Sequence, residues 1–232
     1  MNSPRALRAL SQGTAALLVA SCLGAQELPV PMGLTPETSP SPTAKHVLNL
    51  EPFGTWKPSD ILPFLGGAVL GLAIHESGHM AMGYALNAHP STQHVSGGGV
   101  SFFAIRYDRP LSQSEAYAVS TGGFLAQFAS SEWVLASHPH LWTEDAPVAK
   151  GVFAFHLATS FVYAYGALAG KGPTARDTLG MSKSLGVQER WVGMAILVPA
   201  LLDTYRSLHP ESRWAATTSR TFKVGFAVGL TR

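Results

Sequence analysis

Four stretches of the chain are apolar over lengths that suit long helices, and polar or proline-rich segments separate them. The first, Ile61 to Leu86, carries no charged or imidazole side chain except those of His75, Glu76 and His79. It exceeds the roughly 20 apolar residues that cross a bilayer, and Ser59 or Asp60 stands where an N-cap is expected. Its Gly66, Gly67 and Gly71 would weaken a water-exposed helix but allow close approach of a neighbouring one. Leu111 to Ser137 is helical in pattern and moderately apolar, with Glu115 and Glu132 inside it. Val148 to Gly170 is strongly apolar around His156, and Arg190 to Leu208 is the last apolar helix, with Asp203 near its far end. Between the first two, Val95 to Ile105 alternates weakly after a glycine turn and reads as a short strand or hairpin. His138 to Pro147 and Lys171 to Glu189 read as polar loops, and Trp214 to Arg232 as a polar tail whose end, Phe222 to Leu230, looks strand-like. The pattern predicts a mainly α fold: a polytopic membrane helical bundle of about four transmembrane helices, with a short β segment after the first core helix.

The N-terminus fits that expectation. Residues 1–25 have the form of a signal peptide, with Arg5 and Arg8 ahead of an apolar run at Ala15 to Ala20 and small residues at Ser21, Gly24 and Ala25. Val19-Ala20-Ser21-Cys22 also resembles a bacterial lipobox, which makes Cys22 a candidate lipidated N-terminus; ordinary cleavage after Ala25 is the alternative. Residues 26–60 form a proline-rich exported linker, 61–208 the membrane-embedded domain and 209–232 the tail. With the N-terminus exported, Arg106 and Arg109 fall on the cytoplasmic side, as do Lys171, Arg176, Lys183 and Arg190. The outer loop holds Glu144 and Asp145, a positive-inside distribution that the basic tail follows less well. The expected location is a bacterial inner membrane, multi-pass.

Composition narrows the classes further. Charged residues make up 13% of the chain, against about 25% in typical soluble domains. A formal charge of +2, without a basic stripe, excludes nucleic acid as an expected partner. Cys22 is the one cysteine, so neither a disulfide framework nor a cysteine-ligated zinc site is available.

The chemistry lies in His75-Glu76-Ser77-Gly78-His79, an H-E-x-x-H pattern. On a helix the two histidines share one face and can reach one Zn²⁺ ion, with Glu76 placed to deprotonate an attacking water. A hydrolytic zinc site needs a third protein ligand. Asp203 is the leading candidate, because an aspartate in a membrane helix is expensive. At about 1.5 Å per residue, the motif centre and Asp203 also lie at similar depths, about 14 and 18 Å from the same face. His156, Glu132 and Glu115 are the other candidates for this place. Asp177 reads as a turn or cap residue, and His89 and His94, just beyond the first helix, could hold substrate.

These residues resemble the site-2 protease family of intramembrane zinc metalloproteases. His75 to His79 matches that family's H-E-x-G-H, Ser96 to Ile105 its glycine-rich β segment, and Ser120 to Gln127 its small-residue element, with Gln127 in the place of an asparagine. Pro199-Ala200-Leu201-Leu202-Asp203 is similar to its last core motif, with Thr204 where glycine is usual. The resemblance covers about residues 61–208 and implies a zinc-dependent endopeptidase: His75, His79 and Asp203 as metal ligands, Glu76 as general base, and a membrane protein or peptide as substrate. Separately, the edge of the 95–105 strand is a candidate place for an extended substrate, bound by β-addition. Two other readings are a non-proteolytic membrane protein with a retained zinc site, and an exported, membrane-anchored zinc hydrolase of the soluble type.

Overall fold

Helix α1 (Ile61–Ala85) is apolar around its whole circumference, so hydrophobicity alone does not choose its buried side. The positions that are buried are Gly67, Gly71, His75, His79 and Gly83, one every four residues along a single stripe. The outward positions are large and bare: Leu62 is 78% exposed and Val69 67%. Asp60 does not cap α1; its carboxylate accepts the Lys57 backbone N–H of the preceding 3₁₀ turn, Pro58–Asp60.

The structure, a computed structural model, describes residues 56–97 and 100–228. The signal-like segment 1–25 with Cys22, the linker as far as residue 55, Gly98 and Gly99, and residues 229–232 lie outside the described residues. After α1 come β1 (Ser91–Gly97) and β2 (Val100–Arg106), then α2 (Gln113–Ser137), α3 (Pro147–Ala169), α4 (Asp177–Leu185), α5 (Glu189–Leu208) and α6 (Arg213–Val228). The strands pair antiparallel from Ser91 opposite Arg106 to Gly97 opposite Val100, the hairpin expected from the alternation of 95–105. The chain is therefore mainly α with one small two-stranded sheet.

Helix α1 packs on α2 and α3, while α5 packs on α3, α4 and α6. Both contacts of α1 are backbone-close. A Cβ on Gly151 of α3 would strike the Phe64 carbonyl, and one on Gly122 of α2 would stand 2.5 Å from the Gly78 carbonyl oxygen. The apolar core divides around these contacts. Phe124, Phe128, Met181, Val192 and Ile196 join α2, α4 and α5; Val134, Leu135, Leu141, Val152 and Phe153 join the other end of α2 to α3.

Three sequence expectations change. Of the four helices expected to span a membrane, two are long and apolar enough to do so, Pro58–Ala85 and Pro147–Ala169. Helices α2 and α5 carry too many polar and charged positions, among them Glu132, Asp203 and Arg206, all buried against protein. The polar loop expected from Lys171 to Glu189 contains α4. The strand-like tail is α6, with Ala215, Ser219, Lys223 and Ala227 buried at a spacing of four. That stripe lies on α5 and is fastened by charge. Glu132 accepts from Arg206 at 2.7 and 2.8 Å, from Lys223 at 2.7 Å and from Arg220 at 3.0 Å.

Glu132 is the acceptor shared by three cations, of which Arg206 and Lys223 are buried. Removing it leaves those charges without their common partner. Glu132→Ala is expected to lower stability by about 3–5 kcal/mol, measured as a shift in the denaturant midpoint.

Candidate metal centre

His75 and His79 are buried on the glycine stripe of α1, facing α2. Their orientation follows from what each Nδ1 touches. His79 Nδ1 is 2.7 Å from the Val119 carbonyl oxygen, which can only accept, so Nδ1 carries the hydrogen. His75 Nδ1 is 3.1 Å from Gln127 Oε1. The Gln127 amide cannot be reversed, because its Nε2 donates to the His156 carbonyl at 2.9 Å and to Ser160 Oγ at 2.6 Å. His75 Nδ1 therefore donates too. Both Nε2 atoms are left with lone pairs, and they face each other at 3.3 Å.

Asp177, the first residue of α4, closes the figure. Its Oδ2 lies 3.4 Å from His75 Nε2 and 3.3 Å from His79 Nε2. Burial works against charge on this carboxylate, but the contacts with His75 and His79 prevail and hold its pKa well below the usual carboxylate range. Three ligand atoms thus form a nearly equilateral triangle with edges of 3.3–3.4 Å. A tetrahedral zinc ion with bonds of about 2.0–2.1 Å separates its ligands by about 3.3–3.4 Å. This His75–His79–Asp177 group could hold a metal ion. The space above it is kept open by Gly123, whose Cβ would lie 2.7 Å from His75 Nε2 and closer still to His79 Nε2.

Glu76 is half-buried beside the triangle, within electrostatic reach of His75, His79 and Asp177. Two tyrosines border the same space. Tyr163 packs its ring 6.1 Å from that of His75, and both Tyr163 and Tyr107 lie within electrostatic reach of Glu76 and Asp177.

The structure gives the other candidates different work. Asp203, expected as the third ligand, faces α6: Lys223 Nζ is 2.6 Å from its Oδ2, and Ser219 donates to its Oδ1 at 2.6 Å. Matching depth along two helices says nothing of the direction each faces, and the side of α5 that bears Asp203 meets α6. Glu132 belongs to the same ionic cluster. Glu115 completes the capping box of α2, accepting the Ser112 N–H at 2.8 Å, and pairs with Arg109 at 2.7 Å; these partners lower its pKa to about 2. His156 meets Ser131 Oγ through Nδ1 at 3.1 Å. His89 and His94 are exposed and outside the cluster.

The sequence did not disclose the places of Asp177 and Gln127 in this cluster. A helical period was present at Asp177, Met181 and Leu185, in a segment otherwise polar enough to read as a loop. Gln127 was marked only by the motif resemblance, and its partners, which come from α1 and α3, were not legible from its neighbours along the chain. Comparison with protein-family models, curated proteins and solved structures finds no match to this chain.

The two aspartates separate the ligand assignments. Asp177→Asn is expected to weaken zinc binding by at least about a hundredfold, since loss of an outer partner alone commonly costs 10–100-fold. Asp203→Asn is expected to leave it unchanged. Competition with a chromogenic zinc chelator measures both.

Proposed function

We propose that this protein is a zinc-dependent intramembrane endopeptidase acting on membrane-associated polypeptides. The observation that carries the reading is the triangle of His75 Nε2, His79 Nε2 and Asp177 Oδ2 at zinc-ligand spacing beside the Glu76 carboxylate. A zinc ion held there would supply Lewis acidity, making water a competent nucleophile near neutral pH and polarising a carbonyl. The chain supplies the rest. Glu76 is the general base that takes the proton from water and returns it to the leaving amine. Gln127 and the Val119 carbonyl keep both imidazoles in the tautomer that presents Nε2.

The membrane setting is supported by α1 and α3. Both are long and apolar enough to span a bilayer, and their outward faces bare Leu62, Val69, Val162 and Tyr165, each at least 66% exposed. Side chains of this size, side by side on long helices, suit lipid better than water. On this reading the site lies on the protected side of α1, and the protein is a multi-pass protein of a bacterial inner membrane with an exported N-terminus. The polarity of α2 and α5 favours a second reading, an exported, membrane-anchored zinc hydrolase of the soluble type.

Glu76→Gln is expected to bind zinc as the parent does and to lower cleavage of a cognate single-span substrate by about 10²–10⁴-fold. Normal cleavage by this variant would refute the role of Glu76. Carbonate extraction of membranes carrying a Cys22→Ala chain separates the two settings: retention supports the intramembrane site, and release supports the soluble-type enzyme.

A further inference from the structure

The residues on either side of Asp177 hold the same carboxylate. Arg176 donates to Glu189 twice, Nε to Oε1 and Nη2 to Oε2, both at 2.6 Å, and Thr178 Oγ1 donates to Glu189 Oε1 at 2.6 Å. Arg176 Nη1 also reaches back to the carbonyls of Gly172 at 3.3 Å and Pro173 at 2.9 Å, folding the approach to α4 onto itself. Gly172, at φ 121°, takes a backbone conformation open to glycine and to few other residues. The Arg176 and Glu189 side chains are 13% and 12% exposed and Thr178 is fully buried, so these charge-assisted bonds are shielded from water.

This arrangement meets a mechanical need. His75 and His79 ride on a 25-residue helix gripped from two sides, whereas Asp177 opens a helix of 9 residues. Isolated helices shorter than about 12–15 residues are marginal in water, so α4 depends on tertiary contacts to stand where it does. Thr178, Met181 and Ser182 supply buried surface. The Glu189 bonds supply direction, because they hold the side chains immediately before and immediately after the aspartate.

We propose that Glu189, with Arg176 and Thr178, is a positioning clamp that sets Asp177 at the metal centre, so that metal affinity depends on a carboxylate that touches no ligand atom. The inference rests on the metal-centre reading given above. Glu189 opens α5, where a negative charge is also favoured by the helix dipole. The clamp thereby ties the third ligand to a long helix across the 176–189 segment.

The test uses the full chain in detergent, with Zn²⁺ affinity measured by chelator competition and Co²⁺ absorption as a report of coordination geometry. Glu189→Gln is expected to weaken zinc binding about 10–100-fold and to reduce the intense visible bands of tetrahedral Co²⁺. Thr178→Val is expected to act in the same direction and Thr178→Ser to restore binding, because serine keeps the hydroxyl. Glu115→Gln breaks a similar arginine–carboxylate pair at the start of α2 and is expected to leave both readouts unchanged. If folded Glu189→Gln and Thr178→Val chains bind Zn²⁺ and Co²⁺ as the parent does, the clamp is refuted and the metal centre stands. If Glu189→Gln does not fold, the Thr178 pair decides. If the parent chain binds neither ion, both the clamp and the metal centre are refuted.

Discussion

Two imidazoles can offer Nε2 to one point only when something else takes the hydrogen on each Nδ1. In this chain the acceptors are of different kinds. For His79 it is the backbone carbonyl of Val119, which no substitution at residue 119 removes. For His75 it is the side-chain oxygen of Gln127, whose amide is fixed by the His156 carbonyl and Ser160. One histidine is thus oriented by α2 alone, and the other by α2 and α3 together. The triangle with Asp177 exists only while four helices, α1 to α4, keep their places.

Two separate polar systems lie inside the bundle. One surrounds the histidines. The other gathers Glu132, Asp203, Arg206, Arg220 and Lys223 between α2, α5 and α6. Buried charge of this sort is expensive unless every partner is present, and here the two acids serve three bases at 2.6–3.0 Å. Its effect is structural: it fastens α6 to α5 and α2 by charge, beside the apolar contact of Phe226 with Phe124 and Phe128. An aspartate in an apolar helix therefore has two physical explanations, ligand or anchor, and Asp203 is the anchor.

Much of this was legible in the sequence. The long apolar helices, the hairpin, and His75, Glu76 and His79 at one place on α1 follow from periodicity and spacing, because they depend on neighbours close along the chain. The place of Asp177 did not follow. Asp177 meets His75 across 102 positions, through a short amphipathic helix whose surroundings dilute its signal. Helix α6 was hidden for a related reason: its β-branched and aromatic residues suggest a strand, while the small residues at 215, 219 and 227 that declare its packed face are individually unremarked. The same limit explains Asp203. Depth along a helix can be computed from residue number, but the direction a side chain takes around the axis depends on which helices are adjacent.

The stripe on α1 has a consequence at a distance. Gly67 stands two turns before His75, roughly 12 Å away at 1.5 Å per residue, and meets the backbone of Val148 on α3. A side chain there would act as a wedge, and α1, being one continuous rod, would yield as a unit. His75 and His79 would travel together and keep their mutual spacing, while Asp177, borne by another element, stayed behind. Damage far along the rod would therefore resemble the loss of Asp177, although Asp177 had not been touched.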